Sequence, residues 1–274
     1  MLQKKTVLLF SIGKDSTTLL HLCQKAFSPA KIPFSLLHID TGYKFPEMYQ
    51  LRDKLAAKFD VQIDVYRNEK AIADGANPKE WGTSRCCHAL KTTALLDALK
   101  MHKYEVALGG ARRDEEASRS KERIFSVRNS NNIWDPTLNS LELDRDFIPK
   151  LDTGETLRVF PLSNWTELDV WRYIKQENID VVPLYFSKMR GMQFNKSVLI
   201  RSSSQNLDVK TQSVECRFRS LGCVPCTGAV KSSASTLDDI ISEVGGAKDS
   251  ERKSRVIDHA SNHAMEKRKR DGYF

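Results

Sequence analysis

The chain has 274 residues, of which 40% are hydrophobic and 28% charged, and its formal net charge is +8 at pH 7. This length and apolar share suffice to bury a full core, so we expect an ordinary globular protein. The sequence has no apolar run of about 18 residues and no signal-peptide pattern, and we therefore expect a cytoplasmic protein without membrane helices. The basic charge favours polyanionic partners or substrates without identifying them.

Alternating strand and helix patterns fill the first two thirds of the chain. They predict, in order, a strand at 6–10, a helix at 16–27, a strand at 34–39, a helix at 45–59, a strand at 61–66, a helix at 88–101, strands at 105–109 and 157–160, and a helix at 167–177. This order predicts an α/β fold with a doubly wound parallel sheet of Rossmann type and a small C-terminal subdomain. Ligands of such sheets bind beyond the carboxyl ends of the strands.

Two irregular stretches interrupt this pattern. From Leu138 to Thr156 the periodicity is lost, and we expect a long excursion or a flap over the site. From Met189 to Val214 the sequence is rich in Ser, Asn and Gln, and we interpret it as the start of a second unit. The predicted domains are therefore an α/β domain at 1–188 and a C-terminal subdomain at 189–274, with a short helix near 236–244 and a basic tail.

The first predicted strand leads directly into the loop Ser11-Ile12-Gly13-Lys14-Asp15-Ser16. Backbone N–H groups of such a turn and the positive end of the next helix attract an anion. Lys14 adds a cation, and Asp15 adds a carboxylate for magnesium. The loop therefore favours nucleotide binding, although its spacing is not that of a Walker loop and similar loops occur where nothing binds.

Two further polar loops follow predicted strands. Asp40-Thr41-Gly42 follows the second strand, and Gly109-Gly110 followed by Arg112-Arg113 comes after the fourth. Small residues let the backbone approach a nucleotide, and arginine forks match phosphate oxygens. A charged surface turn would also explain these residues, but we favour a binding role.

Together with Arg158 to Glu167 and Met265 to Phe274, these loops resemble the small, catalytic subunit of bacterial sulfate adenylyltransferase over nearly the whole chain. The loop at 11–16 is similar to the pyrophosphate loop of N-type ATP pyrophosphatases, a superfamily that includes the phosphoadenylyl-sulfate reductases. The resemblance implies an adenine nucleotide α-hydrolase-like fold, with ATP and Mg²⁺ as cofactors. It also implies transfer of AMP to an oxyanion with release of pyrophosphate.

This resemblance and the loop chemistry suggest residue roles. We expect Lys14, Asp15, Arg112 and Arg113 to be catalytic through positioning and electrostatic stabilisation, without a covalent nucleophile. Arg119 and Arg123 are further candidates for binding the oxyanion and the α-phosphate. The residues expected around the nucleotide are Ser11, Ile12, Gly13, Lys14, Asp15, Ser16, Asp40, Thr41, Gly109 and Gly110. The candidate magnesium ligands are Asp15, Asp40, Asp114 and Glu115.

The pair Cys86-Cys87 and the later Cys223-Val224-Pro225-Cys226 depart from the sulfate-activating subunit. They resemble the four-cysteine pattern of assimilatory adenylyl-sulfate reductases, which implies that Cys86, Cys87, Cys223 and Cys226 hold a [4Fe-4S] cluster. A Cys₄ zinc site and four separate reduced thiols are the alternatives.

The loop at 11–16, which we call the phosphate loop, the four-cysteine motif and the basic charge together resemble those of the ATP pyrophosphatases of DNA phosphorothioation systems of the Dnd and Ssp type. Our leading hypothesis is activation of a DNA backbone phosphate for sulfur insertion, with DNA and a cysteine desulfurase as partners. The alternative is a sulfate adenylyltransferase small subunit whose partner is a GTPase large subunit. An adenylyl-sulfate reductase is disfavoured because no cysteine follows Cys226, and a nucleotide-sensing scaffold is disfavoured by the intact loop.

Overall fold

The protein is described by a computed structural model. It covers residues 4–116, 119–120, 122–130, 133–134, 151–195, 198–201 and 211–256. The last ten residues of the resemblance, Met265 to Phe274, and the basic tail lie outside these ranges, as does most of the expected flap. At the end of that flap, Thr156 begins a strand.

The described elements alternate between strand and helix as far as the third strand, and three α-helices and three strands then precede the helix Glu167–Gln176. They are β1 (Thr6–Leu9), α1 (Lys14–Phe27), β2 (Ser35–Ile39), α2 (Pro46–Phe59), β3 (Ile63–Tyr66), α3 (Glu69–Ala73), α4 (Gly82–Cys87), α5 (Ala94–Met101), β4 (Val106–Leu108), β5 (Phe125–Arg128), β6 (Thr156–Val159), α6 (Glu167–Gln176), β7 (Lys188–Asn195), β8 (Val198–Arg201), β9 (Gln212–Arg217), β10 (Gly228–Lys231) and α7 (Leu237–Gly245). None of the described helices is both long and apolar enough to cross a membrane.

The first six strands form one sheet in the order β3-β2-β1-β4-β6-β5. All neighbouring pairs are parallel except β5 with β6, which is antiparallel. The predicted α/β parallel-sheet fold is therefore confirmed. The antiparallel edge strand β5 was not predicted, because its four residues lie between polar loops and lack a periodic context.

Apolar side chains cover both faces of the sheet. Along β1, Leu8 belongs to the core cluster that includes α1 and α6, whereas Val7 and Leu9 belong to the cluster on α5. A strand buried on both faces has a continuous apolar sequence, which is why β1 is easily recognised. Because β1 is central, the loop that follows it is held by the sheet core.

A small closed barrel of four antiparallel strands, in the order β10-β8-β7-β9, follows the sheet. The prediction of an irregular stretch at 189–214 is wrong for its described residues, because much of β7, all of β8 and the start of β9 lie there. These strands alternate poorly, with Met189 and Phe194 exposed and Met192 buried. β7 and β8 form a local hairpin, while both also pair with strands distant in sequence. Local periodicity did not indicate these strands because their apolar and polar residues do not alternate regularly. The proposed domain boundary at 188 remains a prediction.

The helix predicted at 88–101 starts earlier, at Gly82. A π-helical segment, His88–Thr93, joins α4 to α5, so the helical path begins before the paired cysteines Cys86 and Cys87. Single π-helical turns are rare and frequently occur at functional sites. The polar sequence of α4 concealed this first part of the helix.

Candidate active site

The loop between β1 and α1 has an unusual backbone conformation. Ile12 is fully buried and has a φ of 67°, a left-handed conformation that costs a β-branched residue about 1–3 kcal/mol. Gly13 precedes α1 without a side-chain cap on the helix. Because no side chain of the loop caps this helix start, its first N–H groups are candidates for binding an anion.

Gly110 allows the loop after β4 to approach this turn. A Cβ added at Gly110 would lie 3.0 Å from the carbonyl carbon of Asp15 and 3.1 Å from the backbone nitrogen of Ser16. A larger residue would therefore displace the start of α1. The two glycine-containing loops pack backbone to backbone.

These loops line a cavity, here called the nucleotide cavity, beyond the carboxyl ends of the strands. One wall is apolar and contains Leu37, Ile39 and Leu95, while the other carries several cationic side chains. An apolar wall facing cations suits a base and a polyphosphate. Glycine, polar and charged residues that line the nucleotide cavity include Ser11, Gly13, Lys14, Asp15, Ser16, Lys44, Lys91, Gly110, Glu115, Arg119, Tyr185, Gly222, Arg252 and Arg255.

Lys14 and Arg112 are held in a buried ion network. Lys14 Nζ lies 3.0 Å from Asp15 Oδ2 and also contacts Glu251 Oε2. Arg112 donates from Nε to Asp15 Oδ1 at 2.8 Å and from Nη2 to Glu251 Oε1 at 2.9 Å. These two cations and two carboxylates form a group of matched charge, which we call the ion ring. Arg112 Nη1 also lies 3.3 Å from Oδ2 of the more exposed Asp114.

The ion ring shifts the protonation behaviour of its members. Burial alone would lower the pKa of Lys14, but the carboxylates of Asp15 and Glu251 raise it. Burial raises the pKa of Glu251 to about 7, and the charges of Lys14 and Arg112 oppose that rise. Lys14 therefore carries its positive charge, and Glu251 keeps a charge only through its two cationic neighbours.

Two further contacts satisfy groups of the same loop. The backbone N–H of Lys14 donates to the hydroxyl of Tyr185 at 2.8 Å, and Tyr185 is buried. On the opposite side, Glu115 pairs with Arg119 at 2.6 Å and with Arg252 at 3.1 Å. Residues far apart in sequence therefore complete the site.

The structure brings together most of the predicted nucleotide residues. Ser11, Gly13, Lys14, Asp15, Ser16, Gly110 and Arg119 line the nucleotide cavity, and Ile12 lies beneath it. Gly109 is instead joined to the sheet through its N–H, which donates to Val159. The roles assigned to these residues stay predictions.

Other predicted residues lie elsewhere. Arg112 belongs to the ion ring and, with Arg113, lines a small neighbouring pocket, while Arg123 does not line the nucleotide cavity. Asp40 accepts from the N–H of Gly42 and from Tyr49, so it stabilises its own turn. Asp114 accepts from the N–H of Glu167, at the start of α6.

Sequence reasoning missed Lys44, Lys91, Tyr185, Glu251, Arg252 and Arg255. Tyr185 lies in an apolar run that is typical of a core, and it is indeed buried. Glu251, Arg252 and Arg255 lie in a charged stretch that is typical of a solvated surface. Only the tertiary structure places Arg252 and Arg255 on the nucleotide cavity and Glu251 in the ion ring. The short 3-10 turn Glu251–Ser254 is held near the loop after β4 by contacts of Ser250 and Arg252 with Glu115.

The four cysteines of the motif line a second, smaller cavity, here called the four-thiol cavity. Cys86 and Cys87 end α4, while Cys223 and Cys226 belong to a turn that pairs with the loop after β2 through the bridge between Lys44 and Cys223. All four thiols are buried and reduced. The other lining residues are Thr41, Tyr43, Pro78, Leu90, Lys91 and Pro225.

The four thiols have different electrostatic surroundings. Burial raises the pKa of Cys86 to about 11 and that of Cys226 to about 12. Burial acts on Cys223 as well, but the neighbouring Lys91 ammonium and a hydrogen bond with Thr41 lower the pKa of that thiol. Lys91 also lines the nucleotide cavity, so this one cation lies beside both cavities. Thr41, predicted for the nucleotide, lies on the four-thiol cavity.

A preformed site for a single metal ion is not found within residues 4–256 as far as they are described. No three of the His, Cys, Asp and Glu side chains there are arranged to hold one. The four thiols nevertheless surround a common space. Their donor count is that of a four-cysteine cluster and also that of a Cys₄ zinc site.

Comparison with known proteins places these features in a wider group. A family model described as the phosphoadenosine phosphosulfate reductase domain matches residues 5–229. The chain is 48% identical over 272 residues to "Sulfate adenylyltransferase subunit 2" of Myxococcus xanthus, covering 98% of this chain and 89% of that protein. It is 49% identical over 272 residues to the protein of the same name from Shewanella amazonensis, covering 98% and 90%.

Similarity to a solved structure is weaker. A phosphoadenylyl-sulfate (PAPS) reductase from Candida auris, in its phosphate complex, matches 66% of this chain and 76% of that chain with 19% identity and a TM-score of 0.46.

Proposed function

The chain belongs to the phosphoadenosine phosphosulfate reductase domain family, and on this premise we propose that it is an adenylyltransferase that activates sulfate with ATP. One observation carries the proposal: the chain is 48–49% identical, over 98% of its length, to proteins named sulfate adenylyltransferase subunit 2. In this reaction a sulfate oxygen receives the AMP part of ATP, and pyrophosphate leaves.

The hypothesis of DNA phosphorothioation is wrong. The relatives that match almost the full chain carry the sulfate adenylyltransferase name, which favours the alternative reading over the DNA one. DNA and a cysteine desulfurase are therefore not expected as partners. The basic charge that suggested DNA has another use, because several of the cations line the nucleotide cavity.

The chemistry follows from the cavity's charges. A sulfate oxygen attacks the α-phosphorus in line, a new phosphorus–oxygen bond forms, and the bond to the bridging oxygen of pyrophosphate breaks. Negative charge accumulates on the leaving pyrophosphate, which Lys14 and the N–H groups at the start of α1 would stabilise. ATP enters as its magnesium complex, and Asp15 and Glu115 are the acidic residues on the cavity.

Two cations support a position for sulfate. A Cβ built on Gly222 would lie 3.7 Å from Lys91 Nζ and 3.8 Å from Arg255 Nη2, so both cations converge on this residue. Both also line the nucleotide cavity. Two convergent cations on a small residue suit a dianion, and we assign sulfate to this end of the cavity.

The name "subunit 2" of the relatives implies a second subunit. We propose a larger partner subunit, for which the resemblance implies a GTPase. Copurification of such a subunit with the tagged chain from its native host would support this partner. Recovery of the chain alone, with full sulfate activation by that chain, would contradict it.

The test of the function is pyrophosphate release from ATP with and without sulfate, in the presence of the partner subunit. We expect release to rise at least about tenfold with sulfate. Lys91→Met should raise the sulfate concentration needed for half-maximal rate about tenfold, because one of two convergent cations is lost. Lys54→Met is the control, because the Lys54 side chain is exposed and pairs with Asp180 on the surface. Pyrophosphate release that ignores sulfate would contradict the proposal.

We further propose that Cys86, Cys87, Cys223 and Cys226 hold a [4Fe-4S] cluster. Their common cavity and their number support this assignment. Such a cluster can store an electron or tie two segments of chain together, here the end of α4 and the turn Val224–Cys226.

The cluster is tested by iron and acid-labile sulfide on protein purified without oxygen. We expect about four of each per chain, and their loss in Cys87→Ser. Cys23→Ala is the matched control, because Cys23 is also buried but lies in the core cluster on α1. Zinc without sulfide, or no metal, would contradict the cluster.

A further inference from the structure

Glu251 lies where two cations converge, Lys14 from the loop after β1 and Arg112 from the loop after β4. Its side chain is almost completely buried, and each carboxylate oxygen accepts from one of the two cations, Lys14 and Arg112. The residue is 237 positions from Lys14 in the chain. It reaches the loop because it begins the 3-10 turn Glu251–Ser254.

The turn that carries Glu251 is anchored independently of this carboxylate. Ser250 Oγ donates to the carbonyl of Glu115 at 2.6 Å, and Arg252 pairs with the Glu115 carboxylate at 3.1 Å. The backbone of Ser254 also packs against Gly228, where a Cβ would lie 2.1 Å from the Ser254 carbonyl oxygen. Rotation of the Glu251 side chain therefore does not require the turn to detach.

The ion ring has no spare positive charge. Lys14 and Arg112 together face the carboxylates of Asp15 and Glu251. A pyrophosphate or triphosphate that approaches these cations meets two carboxylates at the same place, and like charges at a few ångströms in a buried site repel strongly. Asp15 lies on the loop itself, with a side chain 21% exposed, whereas the Glu251 side chain is only 2% exposed.

We propose that Glu251 is an internal substitute for a phosphate group, which neutralises Lys14 and Arg112 in the nucleotide-free protein and is displaced when phosphates bind. This inference rests on the proposed function, because it requires phosphates at the loop. It assigns the carboxylate a competitive role. By linkage, phosphate binding and the Glu251 contacts weaken one another by the same factor.

The test measures inorganic pyrophosphate binding by calorimetry, without sulfate or the partner subunit. Glu251→Gln removes the competing charge and retains the shape of the side chain, so we expect pyrophosphate to bind about tenfold more tightly than to the unmodified chain. Glu243→Gln is the matched control. It also removes one carboxylate bound to an arginine, Arg217 at 2.7 Å, but far from the loop, and its affinity should be unchanged.

Weaker or unchanged binding by Glu251→Gln would overturn the proposal, because it would show that the carboxylate only positions the cations. Glu251→Gln also removes one of the two carboxylates that pair with the buried Lys14 and Arg112. A second test therefore uses the unmodified protein. Labelling of the Glu251 carboxyl by a water-soluble carbodiimide and an amine, read by mass spectrometry, should increase when pyrophosphate saturates the site, because the displaced carboxylate is no longer paired with Lys14 and Arg112. Unchanged or lower labelling would also overturn the proposal.

These outcomes are separable from those of the proposed function. Pyrophosphate binding that follows the expectation, without sulfate-dependent release, would leave the role of Glu251 intact and remove sulfate as the substrate. Failure of both the unmodified chain and Glu251→Gln to bind pyrophosphate or ATP would remove both conclusions.

Discussion

The two cavities at the carboxyl end of the sheet differ in how their polar groups are balanced. At the nucleotide cavity, Lys14 and Asp15 line the wall and form the ion ring with the buried Arg112 and Glu251, so opposite charges are matched within the protein. In the four-thiol cavity, four thiols surround a space that Lys91 also lines. The first cavity is complete without a ligand and must exchange partners to bind one, whereas the second gathers donors that suit an added group.

The largest effect is expected from a substitution at Gly110, which should damage the nucleotide cavity and leave the four-thiol cavity intact. Gly110→Ala places a Cβ about 3 Å from the backbone of Asp15 and Ser16, which shifts the phosphate loop. A misplacement of this size costs about a hundredfold in kcat/KM for ATP. The iron content should be unchanged, because Gly110 does not line the four-thiol cavity.

Gly245→Ala is the control for this change, since a Cβ there meets nothing within 4 Å. It should keep the normal kcat/KM. Normal activity in Gly110→Ala, or a loss of iron in that variant, would show that the two cavities are not separate in this way.

A smaller effect is expected from Tyr185→Phe. Loss of the hydroxyl leaves the Lys14 N–H without its acceptor at 2.8 Å, and an unsatisfied buried donor costs about 1–3 kcal/mol in the free energy of unfolding. Saturating pyrophosphate should reduce this loss if a phosphate oxygen replaces the hydroxyl. Urea denaturation with and without pyrophosphate measures both quantities.

Tyr173→Phe is the matched control, because its hydroxyl meets His21 Nδ1 at 3.1 Å on a partly exposed surface. Its loss of stability should be below about 0.5 kcal/mol, as for most surface changes. Equal losses of unfolding free energy in the two variants would show that the buried hydrogen bond of the Lys14 N–H contributes no more to stability than the partly exposed one of Tyr173.

A pH-dependent effect of similar size is expected from His38 on β2, a strand that lines the nucleotide cavity and whose following loop lines the four-thiol cavity. Burial lowers the pKa of His38 from 6.5 to about 3. Below about pH 6.5 the unfolded chain binds a proton that the folded chain does not bind, so stability falls as the pH falls. At pH 5.5 the loss amounts to about 1.4 kcal/mol.

His38→Asn removes this titration and keeps a donor toward the carbonyl of Phe10, which His38 Nδ1 meets at 3.0 Å. The free energy of unfolding of the variant should decline by about 1.4 kcal/mol less than that of the unmodified chain between pH 7.5 and 5.5. Parallel declines would show that His38 is protonated in the folded protein.

The smallest effect is expected outside both cavities. Lys54 pairs with Asp180 at 2.7 Å, and the lysine side chain is 60% exposed. Lys54→Ala should change the free energy of unfolding by less than about 1 kcal/mol, since exposed ion pairs contribute little. A larger loss would mean that surface pairs in this protein matter as much as the buried ion ring.

The parallel sheet and the phosphate loop could be predicted because their signals are local. β1 is continuously apolar, and the loop after it combines a glycine with a lysine and an aspartate. The cysteine motif predicted a cluster, which stays a prediction, and the structure places its four thiols around one cavity. In contrast, Tyr185 and Glu251 reach the site only through tertiary packing, and their local sequences are those of a core and of a charged surface.

The choice of substrate could not be predicted for a related reason. The cysteine motif and the positive charge are features that several branches of one superfamily can share. They favoured the DNA hypothesis over the sulfate-activating subunit, which the remaining chain resembles. The cations that suggested DNA include Arg112, Arg119 and Arg113, which are engaged with Asp15, Glu115 and Asn164 respectively. Formal charge therefore overstated the positive surface available to a polyanion.

The distance in sequence between Lys14 and Glu251 has a consequence for biosynthesis. The two residues are 237 positions apart, and at about 5–20 residues per second a ribosome needs roughly 10–50 s to add that length. During this interval the sheet strands β1 to β4 can form, while the carboxylate that balances Lys14 has not been made. A nascent chain thus passes through a stage in which its phosphate loop carries uncompensated charge, and nucleotides in the cell meet it before the ion ring closes.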